Sequence, residues 1–275
     1  MNMFCYQCEQ TCQGTGCTKV GVCGKRPEAA ALMDKLLDIT QSVSRHAHQG
    51  KGGREADHFV LQALFTTVTN VDFDPKRLQE WVDKGEAFLK KHGGPRPKTP
   101  LSERVAKSKD VAGLQELVLY GLKGMAAYAE HARELGHEDE KVYAFFHEAL
   151  SFLADEPQDV GALTGMALRV GAMNLRVMEM LDAGNTGTYG HPEPTQVRVT
   201  PVKGKCILVS GHVHQDLEKV LRQTRARAST STPTARCSPA TPTRASRSTS
   251  TWWGTTAGPG RTRSRSSRSS RAPSS

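Results

Sequence analysis

The C-terminal tail, residues 225–275, limits where this chain can build a folded core. It uses only eight residue types and contains no Leu, Ile, Val, Met or Phe. A segment without these side chains buries too little apolar surface to offset the conformational entropy lost on folding. We therefore expect the tail to be disordered and the hydrophobic core to lie within residues 1–224.

The tail also accounts for the basic character of the chain. The formal net charge is +9, and the ten Arg of the tail, with no Lys, Asp or Glu beside them, contribute +10. Residues 1–224 hold 27 basic and 28 acidic side chains. Because this larger part is close to neutral, the charge does not indicate a nucleic-acid partner.

The composition of the tail is also what a GC-rich coding sequence yields when it is read in the wrong frame. Codons for residues 251–262 can be chosen so that the same bases, read one base earlier, encode HLVGNYGGAWQD. Residues 225–241 similarly permit EGKGINVYTHGEMLPGH. The third bases are partly a free choice, so the sequence permits this decoding without proving it. We therefore expect a frameshift near Thr224, in the gene or in its sequencing; the alternative is a genuine Arg/Ser-rich linker.

Helical periodicity dominates the part of the chain that precedes the tail. Pro27 and Glu28 suit a first helical turn. Apolar side chains then recur at intervals of three and four in six segments, the later ones at 110–135, 139–154 and 159–183. The last segment is so rich in Leu, Met, Val and Ala that we expect a helix buried on most sides. The predicted fold class is therefore mainly α, with a helical-bundle domain over residues 28–200.

The pattern changes after the sixth segment. Residues 185–192 (NTGTYGHP) predict a turn-rich connection. Residues 205–212 then read as a short buried strand, and a helix is expected from Asp216 to Leu221. A strand, a turn and a helix in this order are typical of the start of an α/β domain. Residues 201–224 are therefore predicted to begin an α/β domain that is truncated where the tail begins.

The start of the chain lacks a basic segment followed by an apolar run, so no secretory signal is predicted. No stretch approaches the ~20 continuous apolar residues that span a bilayer, so no membrane association is expected. Seven Cys in such a chain indicate a reducing compartment, where cysteine clusters are more often metal or catalytic sites than disulfides. We expect a cytoplasmic protein.

Four of the cysteines lie within 19 residues at the start of the chain, at Cys5, Cys8, Cys17 and Cys23. The C-x2-C pair lets two thiolates from one turn reach one metal centre, and nearby glycines let the backbone fold closely around it. Four thiolates suit either a cubane iron–sulfur cluster or structural zinc. The five-residue spacing of the second pair favours iron–sulfur. Residues 1–27 are therefore predicted to form a cluster-binding loop, with Cys12 as a bystander.

The histidines offer weaker candidates for metal ligands. His46 and His48, near the end of the first helix, are interpreted as solvated helix-end residues. His131, His137 and His147 are interpreted as surface residues on polar helix faces.

Five segments together resemble one protein family. They lie at residues 4–25 (FCYQCEQT, GCT and GVCGK), 64–74 (LFTTVTNVDFD), 121–129 (GLKGMAAYA), 185–195 (NTGTYGHPEPT) and 201–212. These motifs resemble the N-terminal part of the hybrid-cluster (prismane) proteins, known as hydroxylamine reductases. The resemblance covers residues 4–224, and the decoded segments VYTHGEMLPGH and LVGNYGGAWQ resemble the next part of the chain in that family.

The resemblance implies an all-helical N-terminal domain, two later α/β domains and two metal centres. Cys5, Cys8, Cys17 and Cys23 would hold a cubane, and their spacing resembles the [4Fe-4S] branch of the family rather than the [2Fe-2S] branch. A hybrid [4Fe-2S-2O] cluster would reduce hydroxylamine to ammonia and water, with electrons relayed through the cubane. Its ligands come from the later domains, so no catalytic residue is assigned to this chain. Implied partners are a redox donor protein and a small substrate, hydroxylamine or another nitrogen oxide.

Three functions therefore remain open at this point. The first is a hydroxylamine reductase whose present chain lacks the ligands of the hybrid cluster. The second is an inactive or electron-transfer-only iron–sulfur fragment. The third is a zinc-binding helical interaction module.

Overall fold

The computed structural model describes residues 3–8, 14–69, 71–92, 94, 96–97, 99–194, 206–211, 214–224 and 230–235. The chain forms two compact units, Met1–Leu181 and Asp182–Ser275. The described part of the chain is mainly helical, which confirms the predicted fold class in outline. The predicted domain boundaries stay predictions.

Six α-helices account for most of the first unit, and the sixth runs on into the second. They are α1 (Pro27–His48), α2 (Gly53–Thr66), α3 (Pro75–His92), α4 (Lys109–Glu134), α5 (Glu140–Ala154) and α6 (Val160–Tyr189), with a 3-10 turn at Leu101–Glu103. None of the described helices is both long enough and apolar enough to cross a membrane.

Local sequence explains where these helices begin. Pro27 occupies the first turn of α1, where a missing N–H costs no helical hydrogen bond. The Ser108 side chain accepts a hydrogen bond from the Val111 N–H and caps α4. Asp139 accepts from the Lys141 N–H at 2.8 Å and caps α5. Such caps typically stabilise a helix by about 1 kcal/mol.

Helix α1 is the centre of the bundle and packs against α2, α3 and α5. Its side chains Leu36, Leu37 and Ile39 are fully buried. Helix α3 comes close enough that a Cβ at Gly85 would overlap Ile39 and would lie 2.6 Å from Cζ of Phe59. Burying an aliphatic or aromatic side chain contributes roughly 1.5–3 kcal/mol, so this core stabilises the bundle.

Helix α6 differs from its prediction in two ways. Only one face is buried, through Leu163, Met166, Val170 and Val177, while Leu168 is 72% exposed. The composition of a helix reports how apolar it is but not how many neighbours surround it. The prediction that this helix is buried on most sides was therefore wrong.

The end of α6 also lies further along the chain than predicted, because residues 185–189 are helical and do not form a turn. The Thr186 hydroxyl donates to the Asp182 carbonyl within the helix, at 2.7 Å. Gly190 then takes φ +81°, a left-handed conformation that favours glycine and typically ends a helix.

Two histidine predictions were wrong. His46 is 5% exposed and lies beside the rings of Phe88 and His92, each 6.1 Å away. His147 is also 5% exposed, with Nε2 2.8 Å from Oδ1 of Asp57. Both side chains face neighbouring helices, which the polarity of their own sequence segments did not indicate. His48 is exposed as predicted, and His131 and His137 are partly exposed.

Beyond α6, the described residues of the second unit form a strand, a helix and a second strand. They are β1 (Cys206–Gly211), α7 (His214–Thr224) and β2 (Thr230–Ala235). The strands pair in parallel, from Cys206 opposite Thr230 to Gly211 opposite Ala235. The ring of Tyr189, at the end of α6, meets the His214 ring edge-on at 5.5 Å between centroids.

Strand β2 falls within the tail that was expected to be disordered. Its pairing with β1 depends on backbone hydrogen bonds, which a sequence without large apolar side chains can still form. Pro233 has no N–H to donate, which an edge strand tolerates. The rest of the tail, including Cys237, lies outside the described residues.

Candidate metal centre

The N-terminal loop places its cysteines on two paired segments and a tight turn. The Met3 N–H donates to the Thr18 carbonyl and the Cys5 N–H to the Cys17 carbonyl, both at 3.1 Å. These bonds bring the start of the loop alongside its middle. The Gly24 N–H donates to the Gly21 carbonyl at 2.7 Å, which forms the turn around Cys23.

Close approach to a thiol explains one glycine of the loop, and a left-handed backbone conformation explains another. A Cβ at Gly21 would lie 3.0 Å from Sγ of Cys23, so any side chain there would displace the thiol. Gly24 has φ +93°, which other residues rarely adopt.

The four predicted ligands differ in burial. Cys17 is 7% exposed, and Cys5, Cys8 and Cys23 are partly buried. None of these four is in a disulfide. Among the described residues, no three His, Cys, Asp or Glu side chains form a group that could hold a metal ion. Their assignment as ligands therefore stays a prediction, and Cys12 lies outside the described residues.

A buried lysine faces three of these thiols. Lys25 is 1% exposed, and its ammonium interacts electrostatically with Cys5, Cys8 and Cys23 and with the carboxylate of Asp72. Its Nζ lies 3.0 Å from Sδ of Met33 and 5.0 Å from the centroid of the Phe73 ring. Burial lowers the pKa of Lys25.

The surroundings of Lys25 test whether the loop fits an anionic cluster. Neither a thioether nor an aromatic ring is a strong acceptor, and burying a charge without a strong partner is costly. The carboxylate of Asp72 and the thiolate forms of Cys5, Cys8 and Cys23 are the negative charges that would stabilise this ammonium. The donor set and its electrostatic environment therefore fit a metal cluster bound by thiolates.

Burial also raises the pKa of the Cys5 thiol, and it is the largest of several influences on that pKa. The neutral thiol is therefore favoured in the metal-free chain. A metal would have to displace this proton, because the thiolate is the form that binds.

A second buried lysine holds the loop from the side of the bundle. Lys123 of α4 is 3% exposed, and its Nζ lies 2.7 Å from Oε1 of Gln7 and 3.4 Å from the Gln7 carbonyl oxygen. The Gln7 amide in turn donates to Oδ1 of Asp34 in α1. Burial lowers the pKa of Lys123 to about 7 and raises the pKa of Asp34 to about 7.

Sequence reasoning missed Asp34 and Lys123, although the pattern held a signal for both. Asp34 lies four residues after the buried Ala30, on the face that α1 turns inward. Lys123 lies four residues after the buried Leu119 and three before the buried Ala126. A charged residue on the apolar stripe of a helix indicates a buried charge with a partner.

Comparison with known proteins gives a consistent result. Residues 3–233 match the Prismane/CO dehydrogenase family. The hydroxylamine reductase of Syntrophobacter fumaroxidans is 44% identical over 258 residues, which cover 82% of this chain and 48% of that protein. The hydroxylamine reductase of Rhodospirillum rubrum is 45% identical over 260 residues, covering 81% of this chain and 47% of that protein. The hydroxylamine reductase of Methanocella arvoryzae is 42% identical over 259 residues, covering 82% of this chain and 48% of that protein.

The chain spans about half the length of these curated relatives. The resemblance read from the cysteine loop and the helical segments is confirmed, and it implies iron–sulfur chemistry. On its sequence and on the match over residues 3–233, the chain belongs to the Prismane/CO dehydrogenase family.

Proposed function

We propose that this chain is the N-terminal part of a hydroxylamine reductase and that its loop binds a [4Fe-4S] cluster. The observation that carries the proposal is the cysteine loop with the buried Lys25 ammonium facing three of its thiols. The relatives named above, each a hydroxylamine reductase at 42–45% identity, supply the reaction class.

The proposed ligands are Cys5, Cys8, Cys17 and Cys23. When bound, a [4Fe-4S] cluster accepts and passes on single electrons. Lys25 would offset part of the negative charge of the thiolates, and the buried Cys17 would keep one side of the site away from water. The electrons would come from a redox donor protein.

In the complete enzyme, hydroxylamine would take up two electrons and two protons, its N–O bond would break, and ammonia and water would leave. This step is assigned to a hybrid [4Fe-2S-2O] cluster, and no residue of the present chain is proposed as its ligand. We further propose that the reading frame is shifted near Thr224. In support, the family match ends at residue 233, shortly after that position. The present chain would then transfer electrons without reducing hydroxylamine.

Anaerobic purification followed by metal analysis tests the cluster. We expect a broad absorption band near ~400 nm and about four iron atoms and four sulfides per chain. Cys17→Ser should lose most of the iron, whereas Cys206→Ser, in β1, should keep it. Colourless protein with one zinc per chain would contradict the proposal and favour a zinc-binding helical module.

Resequencing the gene around Thr224 tests the frameshift. We expect a chain expressed from the corrected frame to reduce hydroxylamine with a chemical electron donor, and the present chain to show no turnover. Turnover by the present chain, or a confirmed Arg/Ser-rich frame in an active protein, would contradict it.

A further inference from the structure

Helix α4 holds the two residues between the first two cysteines of the loop. The Tyr120 hydroxyl donates to the Tyr6 carbonyl at 3.3 Å. One turn further along the same face, the Lys123 ammonium reaches both the carbonyl and the side-chain oxygen of Gln7. Two side chains of one rigid helix therefore bind three oxygens of the turn that carries Cys5 and Cys8.

The contact with Gln7 is fully enclosed. Gln7 is 2% exposed, Lys123 is 3% exposed and Asp34 is 9% exposed. The Gln7 amide oxygen accepts a hydrogen bond from Lys123 of α4, and its amide nitrogen donates to Asp34 of α1. Gln7 therefore joins the loop to two bundle helices. A buried amide with both ends bonded has a single orientation, and this orientation also fixes the backbone at Gln7.

The position of Lys123 also has an electrostatic consequence. Its ammonium interacts electrostatically with Asp34 and, more weakly, with the thiolate forms of Cys5 and Cys8. A nearby positive charge stabilises the more negative state of a metal centre, and net charge and hydrogen bonding are among the features that set cluster potentials. Lys123, the third residue of the segment GLKGMAAYA, thus carries a charge that acts on the cysteine loop.

We propose that Lys123 is a positioning residue of the metal centre, which holds the Cys5–Cys8 turn through Gln7 and places a positive charge beside the bound cluster. The proposal rests on the proposed function, because it assumes that these cysteines bind a cluster. It goes beyond that function by assigning a role to a helix residue that binds no metal.

Hydrogen exchange of the metal-free chain tests the positioning role. The amides of residues 3–8 should exchange about tenfold faster in Lys123→Met, which keeps the length of the side chain but removes its donors and charge. Lys109→Met is the matched control, because it removes a lysine from the exposed start of α4, about 21 Å along the helix axis. It should leave this exchange unchanged. Equal exchange in Lys123→Met and the wild type would overturn the positioning role.

The reduction potential of the loaded protein tests the charge, and it is titrated at about pH 6, where Lys123 with its pKa of about 7 keeps its proton. Removing the cation should lower the midpoint potential in an EPR-monitored titration, by about 59 mV if the ratio of reduced to oxidised cluster falls tenfold at fixed potential. Tyr120→Phe should speed exchange slightly without moving the potential, since it removes a hydrogen bond but no charge. A Lys123→Met potential equal to that of the wild type, at equal iron content, would overturn the electrostatic role.

A replacement variant and the exchange data of the metal-free chain keep the test decisive. If Lys123→Met does not fold by circular dichroism, Lys123→Gln serves in its place, because it keeps a donor for Gln7 and lacks the charge. It should lower the potential relative to the wild type and speed the exchange of residues 3–8 by less than about tenfold. If the wild type binds no iron, the proposed function fails, and the charge role fails with it. The exchange data then still decide whether Lys123 holds the turn.

Discussion

The interior of the bundle and the contact between the bundle and the cysteine loop are built in opposite ways, although α1 takes part in both. In the bundle, α1 contributes Leu36, Leu37 and Ile39 to an apolar core. Toward the loop it contributes Asp34, which lies in a buried network with Gln7 and Lys123. Apolar packing favours folding on its own account, whereas burying charges costs desolvation that their mutual attraction often fails to offset. Under the proposed function, such a network is explained by the cluster that the loop would hold rather than by the stability of the bundle.

The largest expected effect lies in the bundle. Phe59 is 2% exposed and packs within the core beside Trp81. Phe59→Ala should lower the free energy of unfolding by about 3–5 kcal/mol, because it removes buried apolar surface and leaves a cavity. Urea denaturation of the metal-free chain measures this loss. A loss below about 1 kcal/mol would mean that the apolar interior is not what stabilises the bundle.

The buried network should instead reveal itself through pH. Folded Asp34 keeps its proton to about pH 7, since its pKa is raised by burial, whereas the unfolded chain loses it near the ordinary value of 3.8. The folded state therefore binds more protons between these values, and the free energy of unfolding falls as pH rises through this range. At 1.36 kcal/mol per pKa unit the fall is about 4 kcal/mol at most.

Asp34→Asn should remove this dependence, so the metal-free wild type should lose stability relative to the variant between about pH 4 and pH 7. Asp83→Asn, at an exposed position on α3, should keep the wild-type dependence. If the free energy of unfolding depended on pH in the same way in the wild type and in Asp34→Asn, burial would not be raising the pKa of Asp34.

Two glycines distinguish tight packing from open helix surface. A Cβ at Gly85 would overlap Ile39 and Phe59, so Gly85→Ala should cost about 1–3 kcal/mol through overpacking. Gly124, in α4, has nothing within 4 Å of its added Cβ. Gly124→Ala should stabilise the chain by up to about 1 kcal/mol, because alanine favours a helix. Thermal denaturation of both variants measures the difference, and effects of the same sign would contradict it.

The smallest effect is expected at the surface. Lys91 and Glu55 form an ion pair at 3.1 Å between α3 and α2, and both side chains are more than half exposed. Solvent screens such a pair, so Lys91→Ala should change the free energy of unfolding by no more than about 1 kcal/mol. Chemical denaturation at low and high salt is the measurement. A loss comparable to that of Phe59→Ala would contradict this expectation, because an exposed ion pair would then stabilise the bundle as much as a buried aromatic side chain does.

Much of the fold could be predicted because it depends on local pattern. The six helices follow from apolar periodicity and from first-turn residues such as Pro27. The cysteine motif and four further segments indicated the family. The end of α6 was missed because Asn and Thr are common in turns, yet Thr186 bonds back into the helix. The burial of α6 was overestimated because composition does not count neighbours.

The polar contacts between helices could not be read in the same way. His147 lies on a segment that looks polar, and its bond to Asp57 joins residues 90 positions apart. Lys123 and Gln7 are 116 positions apart. Each residue has ordinary local neighbours, and its role depends on which helix lies opposite.

The order of residues alone was enough to establish the helical class, the family and the four candidate ligands, because periodicity and spacing are properties of neighbouring residues. Tertiary packing was needed to find Lys25, Asp34 and Lys123 around the loop, because the cost of burying a charge depends on everything that surrounds it. Lys25 and Lys123 would supply positive charge beside the cluster proposed for the cysteine loop, whereas Asp34 disfavours the thiolate form of Cys5.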